Sequence, residues 1–288
     1  MDNKLKFGCY IQFLENERNS MEESNRERFE DKIIDSNLDN NQFHNKLFVR
    51  VGAKDKHFKN VDFSHTYFEH SYFRNCTFDN CNFNGCKFIN SNFIGSSFPG
   101  SQFEYSSFDK TIIDNDILSN NCPSNDNLSL KFARSLRINY QGLGDAESAN
   151  KAIKIELLST KKHLCDSWKS NKVYYRKKYT GLKRYEMFFK WFDFKFQEFI
   201  WGNGEMPWYL LRTGLLIWLG MTFTDGILFK NSYNLKDYWE SFIEMPAVFL
   251  GNTKPETYTD FYLSLITIIR LIGIALFMSI IIKRFNRR

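Results

Sequence analysis

The chain has 288 residues, 25% of them charged and 43% hydrophobic, a composition that excludes wholesale disorder. A mean hydropathy of -0.44 excludes a many-pass transporter but leaves room for a short membrane module. The formal charge of +6 is modest, so its distribution matters more than its size, and six cysteines without a signal-peptide pattern fit a reduced compartment better than a disulfide framework.

Residues 1–32 form a highly charged lead-in, and 14–32 are expected to be a helix or loose segment that caps the first folded domain. The next region is governed by a period of five. Phe58, Phe63, Phe68, Phe73, Phe78, Phe83, Phe88, Phe93, Phe98, Phe103 and Phe108 stand five residues apart, and Ile113 and Leu118 continue the register. Two residues before each ladder position sits a second series, nearly all small: Val61, Thr66, Ser71, Cys76, Cys81, Cys86, Ser91, Ser96, Ser101, Ser106 and Thr111. Neither a helix nor a simple strand has this period. A solenoid with four short sides of five residues does, each side turning one large and one small residue inward, with about twenty residues per coil and strand bonding between coils.

This ladder, covering 56–118, resembles the pentapeptide-repeat family, whose motif is Ala-(Asp/Asn)-Leu-x-x with Phe common at the centre. The resemblance implies a right-handed quadrilateral β-helix. The domain is assigned to 33–118 with its core at 56–118. Ile33, Leu38, Phe43 and Phe48 share the register and Ala53 interrupts it, so an extra coil before residue 56 is an open question. Cys76, Cys81 and Cys86 lack zinc-ligand spacing and are read as small inner residues, with no metal site. No nucleophile–base constellation or phosphate-binding loop occurs, so neither an enzyme nor a cofactor is expected.

After a polar loop the period changes to that of helices. Phe132, Leu136 and Tyr140 step by four, Asp145 can cap a second helix, and Ala149, Ile153 and Leu157 step by four again. These steps predict an αα-hairpin over about 128–168, read as a spacer or as a ligand-sensing surface. Within the helical linker 128–200, residues 172–195 carry eight Lys/Arg against Glu186 and Asp193, followed and interleaved by aromatics. Ahead of apolar segments this pattern points to an interfacial helix on an anionic leaflet rather than to nucleic acid.

Residues 261–282 are a 22-residue apolar run broken only by Arg270, with a basic tail after it. A weaker candidate, 208–229, holds Arg212 and Asp225 with twelve uncharged residues between them. Two transmembrane helices with both termini cytoplasmic are the expectation, a multi-pass protein of a bacterial inner membrane, with the acidic connector outside. A pair of buried soluble helices is the alternative.

Within the connector, 236–256 reads as a re-entrant helix, a Gly-containing turn and a proline. The arrangement over 201–288 resembles the two-transmembrane pore module of the potassium-channel superfamily, which implies a homotetramer around a permeant ion. WGNGEMPWYLLR resembles the entry segment of pentapeptide-repeat channel-like proteins. The family's filter falls on Phe249, Leu250, Gly251, Asn252, Thr253 and Lys254, where only the glycine matches, with Pro255 downstream, so potassium selectivity is not expected. Lys254 would ring the mouth with positive charge. Arg270 would face the pore or pair with Asp225 or Glu244, and Gly273 falls where the inner helix of such channels often hinges. The solenoid would assemble or gate the pore, or bind a cytoplasmic protein or ligand. A membrane-anchored scaffold without conduction is the competing reading. A DNA mimic would want an acidic repeat surface, whereas 56–118 holds five Lys/Arg against seven Asp/Glu.

Overall fold

A computed structural model describes residues 26–230 and 234–285, with side chains up to 282. The chain forms two compact units, 1–163 and 164–288.

In the first unit, every strand is short and every pairing parallel. The strands are β1 (Glu27–Glu30), β2 (Leu38–Asp39), β3 (Lys46–Val49), β4 (Gly52–Lys54), β5 (His57–Lys59), β6 (Tyr67–Glu69), β7 (Tyr72–Arg74), β8 (Thr77–Asp79), β9 (Lys87–Ile89) and β10 (Ser107–Asp109). They stack in the orders β1-β3-β6-β9-β10, β2-β5-β8 and β4-β7, and bridges from Gln42 to Asp62, Asn82 and Gln102 make a fourth face. The result is a β-solenoid of about four coils with four faces. Register between neighbouring coils is twenty residues, as in Phe48↔Phe68 and Phe58↔Phe78.

The period of five arises from three residues doing separate work. The central phenylalanines point in and are 0–5% exposed from Phe58 to Phe108. They stack face to face with the ring one coil on, 4.7 Å apart for Phe58 and Phe78 and 4.8 Å for Phe88 and Phe108. The small residue two places earlier ties the coils together. Ser91 Oγ donates to the Phe68 carbonyl at 3.1 Å, and Ser101 Oγ to the Phe78 carbonyl at 2.8 Å. Cys81 and Cys86 do the same with their thiols toward Phe58 and Phe63. Those cysteines are thus weak hydroxyl substitutes, and burial pushes the Cys81 thiol up to about 11 and that of Cys86 higher still.

Two places after each phenylalanine the chain turns a corner with φ near +50 to +70°, at Asn60, Asn75, Asn80, Gly85, Asn90, Gly95 and Gly100. That left-handed geometry is why Asn and Gly recur there. Tyr105 and Lys110 adopt it as well, at φ 62 and 46.

The solenoid begins before residue 33. β1 pairs with β3 at a spacing of nineteen, Phe29 facing Phe48, so the lead-in expected to be a helix or loose segment is strand over 27–30; 14–25 lie outside the described residues. The first coil is one residue short. Ile34 packs against the core while Ile33 is 74% exposed, so the register written through Ile33 slips by one before Leu38. Ala53 is buried and does not interrupt the stack.

The last coil is closed by helices. After α1 (Ile117–Asn120) come α2 (Asp126–Gly142) and α3 (Ala146–Lys169). Phe132 lies on Phe103 and Phe108, both 6.0 Å away. Ser135 Oγ accepts the Phe108 N–H at 2.8 Å, and Asn139 takes both the N–H and the carbonyl of Thr111 at 2.7 Å. Asn121 donates to the carbonyls of Phe98 and Ser101. Side chains of a helix here satisfy the backbone groups that a further coil would have bonded. The hairpin read as a spacer or sensor is the solenoid's cap.

The second unit is helical: α4 (Val173–Lys178), α5 (Leu182–Trp201), α6 (Pro207–Leu228), α7 (Leu235–Leu250) and α8 (Asp260–Phe285). Among the described residues one helix, Asp260–Ile282, is long and apolar enough to cross a membrane, and only 11% of its most apolar stretch is buried. The helix Pro207–Leu228 falls short of that mark. Arg212, Asp225, three threonines and three glycines dilute it.

Candidate functional site

The sequence points to the segment between α6 and α8, and the second unit packs around it. α7 lies against α6. Trp218 and Phe242 stack at 4.3 Å, and Trp218 Nε1 donates to the Phe242 carbonyl at 2.9 Å. Gly226 lets the two helices approach, since a Cβ there would stand 2.2 Å from the Tyr238 ring. An open apolar groove of about 440 Å³ remains between them, lined by Gly214, Trp218, Met221, Met245, Pro246 and Phe249.

The charged residues divide into two separate groups. Asp225 is 2% exposed and accepts hydrogen bonds from Ser241 Oγ and the Tyr258 hydroxyl, each at 2.5 Å. One carboxylate therefore ties α6, α7 and the approach to α8 together, which is how a buried charge is made tolerable. Lys230 stands 4.0 Å from Asp225 and 3.2 Å from Glu244. Arg270 belongs elsewhere. Its Nη1 is 3.5 Å from the Phe249 carbonyl, and a Cβ on Gly251 would stand 2.2 Å from the same nitrogen. The pairing of Arg270 with Asp225 or Glu244 is not made, because nearer partners already occupy both carboxylates.

Phe249 and Leu250 end α7, and Gly251 caps it with φ +82, the Asn252 N–H bonding back to the Ala247 carbonyl at 2.9 Å. Asn252, Thr253 and Lys254 lie in the exposed turn beyond. The guanidinium of Arg270 thus sits at the C-terminal end of α7, where the helix dipole is negative and favours a cation. Gly273 lies inside an unbroken helix, and a Cβ added there would meet no neighbouring element. Ser241 and Tyr258 escaped sequence reasoning. Neither falls in a motif, and only folding brings them to Asp225.

At the other end of α6, Arg212 lies over the Phe199 and Tyr209 rings, 4.7 and 4.6 Å from their centroids, and donates to the Phe199 carbonyl. It is held at the end of α5, consistent with an arginine leaving an apolar stretch.

The repeat geometry agrees with comparison to known proteins. Residues 57–93 and 78–115 match the model for pentapeptide repeats, in eight copies. The N-terminal half carries a pentapeptide-repeat domain. Solved structures similar to it include two trypsin-treated forms of QnrB1, a plasmid-mediated fluoroquinolone resistance protein. They are 15% and 13% identical over 30% of this chain and 72% and 71% of theirs, with TM-scores of 0.15 and 0.14. Another is the pentapeptide repeat protein Rfr23 from the cyanobacterium Cyanothece 51142, 13% identical over 31% of this chain and 88% of that one, with a TM-score of 0.11. No curated protein matches the chain.

Proposed function

We propose that this is a pentapeptide-repeat protein of a bacterial inner membrane whose C-terminal unit forms a homotetrameric ion pore, with both termini in the cytoplasm and the solenoid assembling or gating it. The observation that carries the reading is a short helix folded back on its neighbour. α7 packs on α6, ends in the left-handed Gly251 cap, and is followed by an exposed turn and the apolar helix α8. In this reading α6 is a second span, with Arg212 at its inner end and the Asp225 carboxylate hydrogen-bonded inside the protein by Ser241 and Tyr258. The turn Gly251–Lys254 lines the mouth.

Arg270 decides the selectivity proposed. In a cation pore the C-terminal end of the short helix would help hold the ion, whereas here a guanidinium occupies that end. A ring of Lys254 would add to the positive potential. The pore is therefore proposed to be closed at rest or to favour anions. The same observation supports a second reading, a membrane-anchored interaction scaffold that conducts nothing.

Full-length protein in liposomes tests both. Chloride flux, with a reversal potential near that of chloride and shifted toward cations in Arg270→Gln, is expected. Strong potassium selectivity would overturn the selectivity argument, and absence of flux at any voltage in both the native chain and Arg270→Gln would leave the scaffold.

A further inference from the structure

Most phenylalanines of α5 face outward. Leu182, Tyr185, Phe189, Phe192, Phe196 and Phe199 are 54–87% exposed and alternate steps of three and four. This spacing puts them in one stripe along the helix. The opposite side is already committed. Met187 is buried, Phe188 and Trp191 pack on Trp168 at 5.1 and 5.2 Å, and Arg184 Nε donates to the Trp168 carbonyl at 2.7 Å. The helix thus cannot roll its stripe inward without breaking those contacts. An apolar stripe of this length, which among the described residues is covered only at Phe199 by Arg212, marks a surface that meets something other than water.

Charge identifies what it meets. From Ser167 to Tyr185 the chain holds seven Lys/Arg (Lys169, Lys172, Arg176, Lys177, Lys178, Lys183 and Arg184) and no Asp or Glu, and Asp166 just before it pairs with Lys172. The acids farther along α5 are engaged locally: Glu186 with Lys190, Glu198 with Lys195, and Asp193 with Gln197. A cationic run leading into an aromatic stripe matches a lipid surface that is anionic at the headgroups and apolar beneath them. A partner helix would instead need its own apolar seam and acids opposite the run. Continuity points the same way, because the end of the stripe at Phe199 meets Arg212 of α6, a helix whose Trp208, Leu211 and Leu215 are also exposed.

We infer that α5 lies in the headgroup region of an anionic leaflet, with its phenylalanine stripe among the acyl chains and residues 169–184 binding the phosphates. The inference rests on the membrane reading proposed above and adds a lipid class to it. In that position α5 joins the apolar helices to the rest of the chain, so the lipid composition of the leaflet bears on the pore.

Full-length protein with nitroxides on single cysteines (Phe192→Cys, Phe196→Cys, Lys190→Cys and, as a control on α8, Ile274→Cys) in a background of native cysteines changed to serine is reconstituted in phosphatidylcholine vesicles with or without phosphatidylglycerol. Accessibility to oxygen and to a water-soluble nickel chelate is then measured. With phosphatidylglycerol, oxygen preference should rise severalfold at 192 and 196 relative to 190, and neutralising Lys177, Lys178, Lys183 and Arg184 to Gln should abolish that rise. Water exposure at 192 and 196 with Ile274 in lipid would overturn this inference and spare the membrane reading, whereas water exposure at all positions would remove both. Spin–spin broadening at 192 would overturn it in favour of a second copy of the chain. Equal oxygen preference without phosphatidylglycerol would overturn the anionic specificity.

Discussion

Phenylalanine is used in opposite ways by the two units. From Phe58 to Phe108 of the solenoid it stands at 0–5% exposure, each ring stacked on one twenty residues away, whereas Phe189, Phe192, Phe196 and Phe199 of α5 are more than half exposed. The first unit supplies its own apolar environment, one coil at a time. The second leaves apolar faces outward on α5, α6 and α8, and its polar contacts are concentrated at a few nodes. Burial in one unit is a property of the chain alone, and in the other it depends on what the chain is placed in.

The largest effects should come from breaking the stack. Phe83→Ala removes a ring that touches Phe63 and Phe103, and denaturation of the solenoid should lose about 3–5 kcal/mol. Phe192→Ala on α5, measured in detergent, should move stability by less than about 0.5 kcal/mol. Equal losses in the two variants would erase the contrast. Next comes the node of the second unit. Asp225→Ala removes the acceptor of the Tyr258 hydroxyl and leaves Ser241 Oγ only the Asp237 carbonyl, and should cost about 2 kcal/mol in thermal unfolding in detergent, whereas Tyr258→Phe should cost less.

At a corner, Gly100→Ala combines a left-handed φ of +66 with a Cβ 2.2 Å from Asn80 Oδ1, and a loss of about 1–2 kcal/mol is expected. Removing the obstruction with Asn80→Ala should recover part of it, so the double variant should be less destabilised than the sum. The smallest effect concerns pH. Burial raises the folded Cys81 thiol to about 11, above the ordinary thiol value near 8.5, so folding favours the protonated form. Its contribution is fully present below that ordinary value and is lost as pH rises through about 11. Alkylation of Cys81 and Cys86 at pH 8 should therefore be slow in the folded protein and fast in urea, and equal rates would show that the solenoid opens readily.

How much was legible in the sequence differs between the units for a physical reason. The ladder could be read because each coil repeats one local solution, so Phe58 and Phe98 obey the same rule. The corner rule went unread, although Asn60, Asn75, Asn80 and Asn90 recur two places after a ring, because His65, His70, Tyr105 and Lys110 take the same left-handed turn and blur the pattern. The slip between Ile34 and Leu38 was hidden because Ile33 and Ile34 are chemically equal and only the nineteen-residue pairing tells them apart. The cap was hidden too. Ser135 and Asn139 look like ordinary helix-surface residues until they meet the open backbone of the last coil. In the second unit Arg270 was recognised as needing a partner, but the partner is a carbonyl at Phe249, and a backbone acceptor leaves no mark in composition.

The helix lid over the last coil carries a consequence for length. Because Ser135 and Asn139 bond specifically to Phe108 and Thr111, coils cannot be added beyond that point without discarding the lid. Between Asn80 and Gly100, however, each coil presents the next with the same rings, small inter-coil donors and corners. A block of twenty residues inserted there would find every partner in place and lengthen the column by about 4.8 Å, whereas a block of eighteen would set corners against rings. The solenoid is thus a rod with a fixed end and a quantised middle, and chains of this design should differ from one another in steps of one coil.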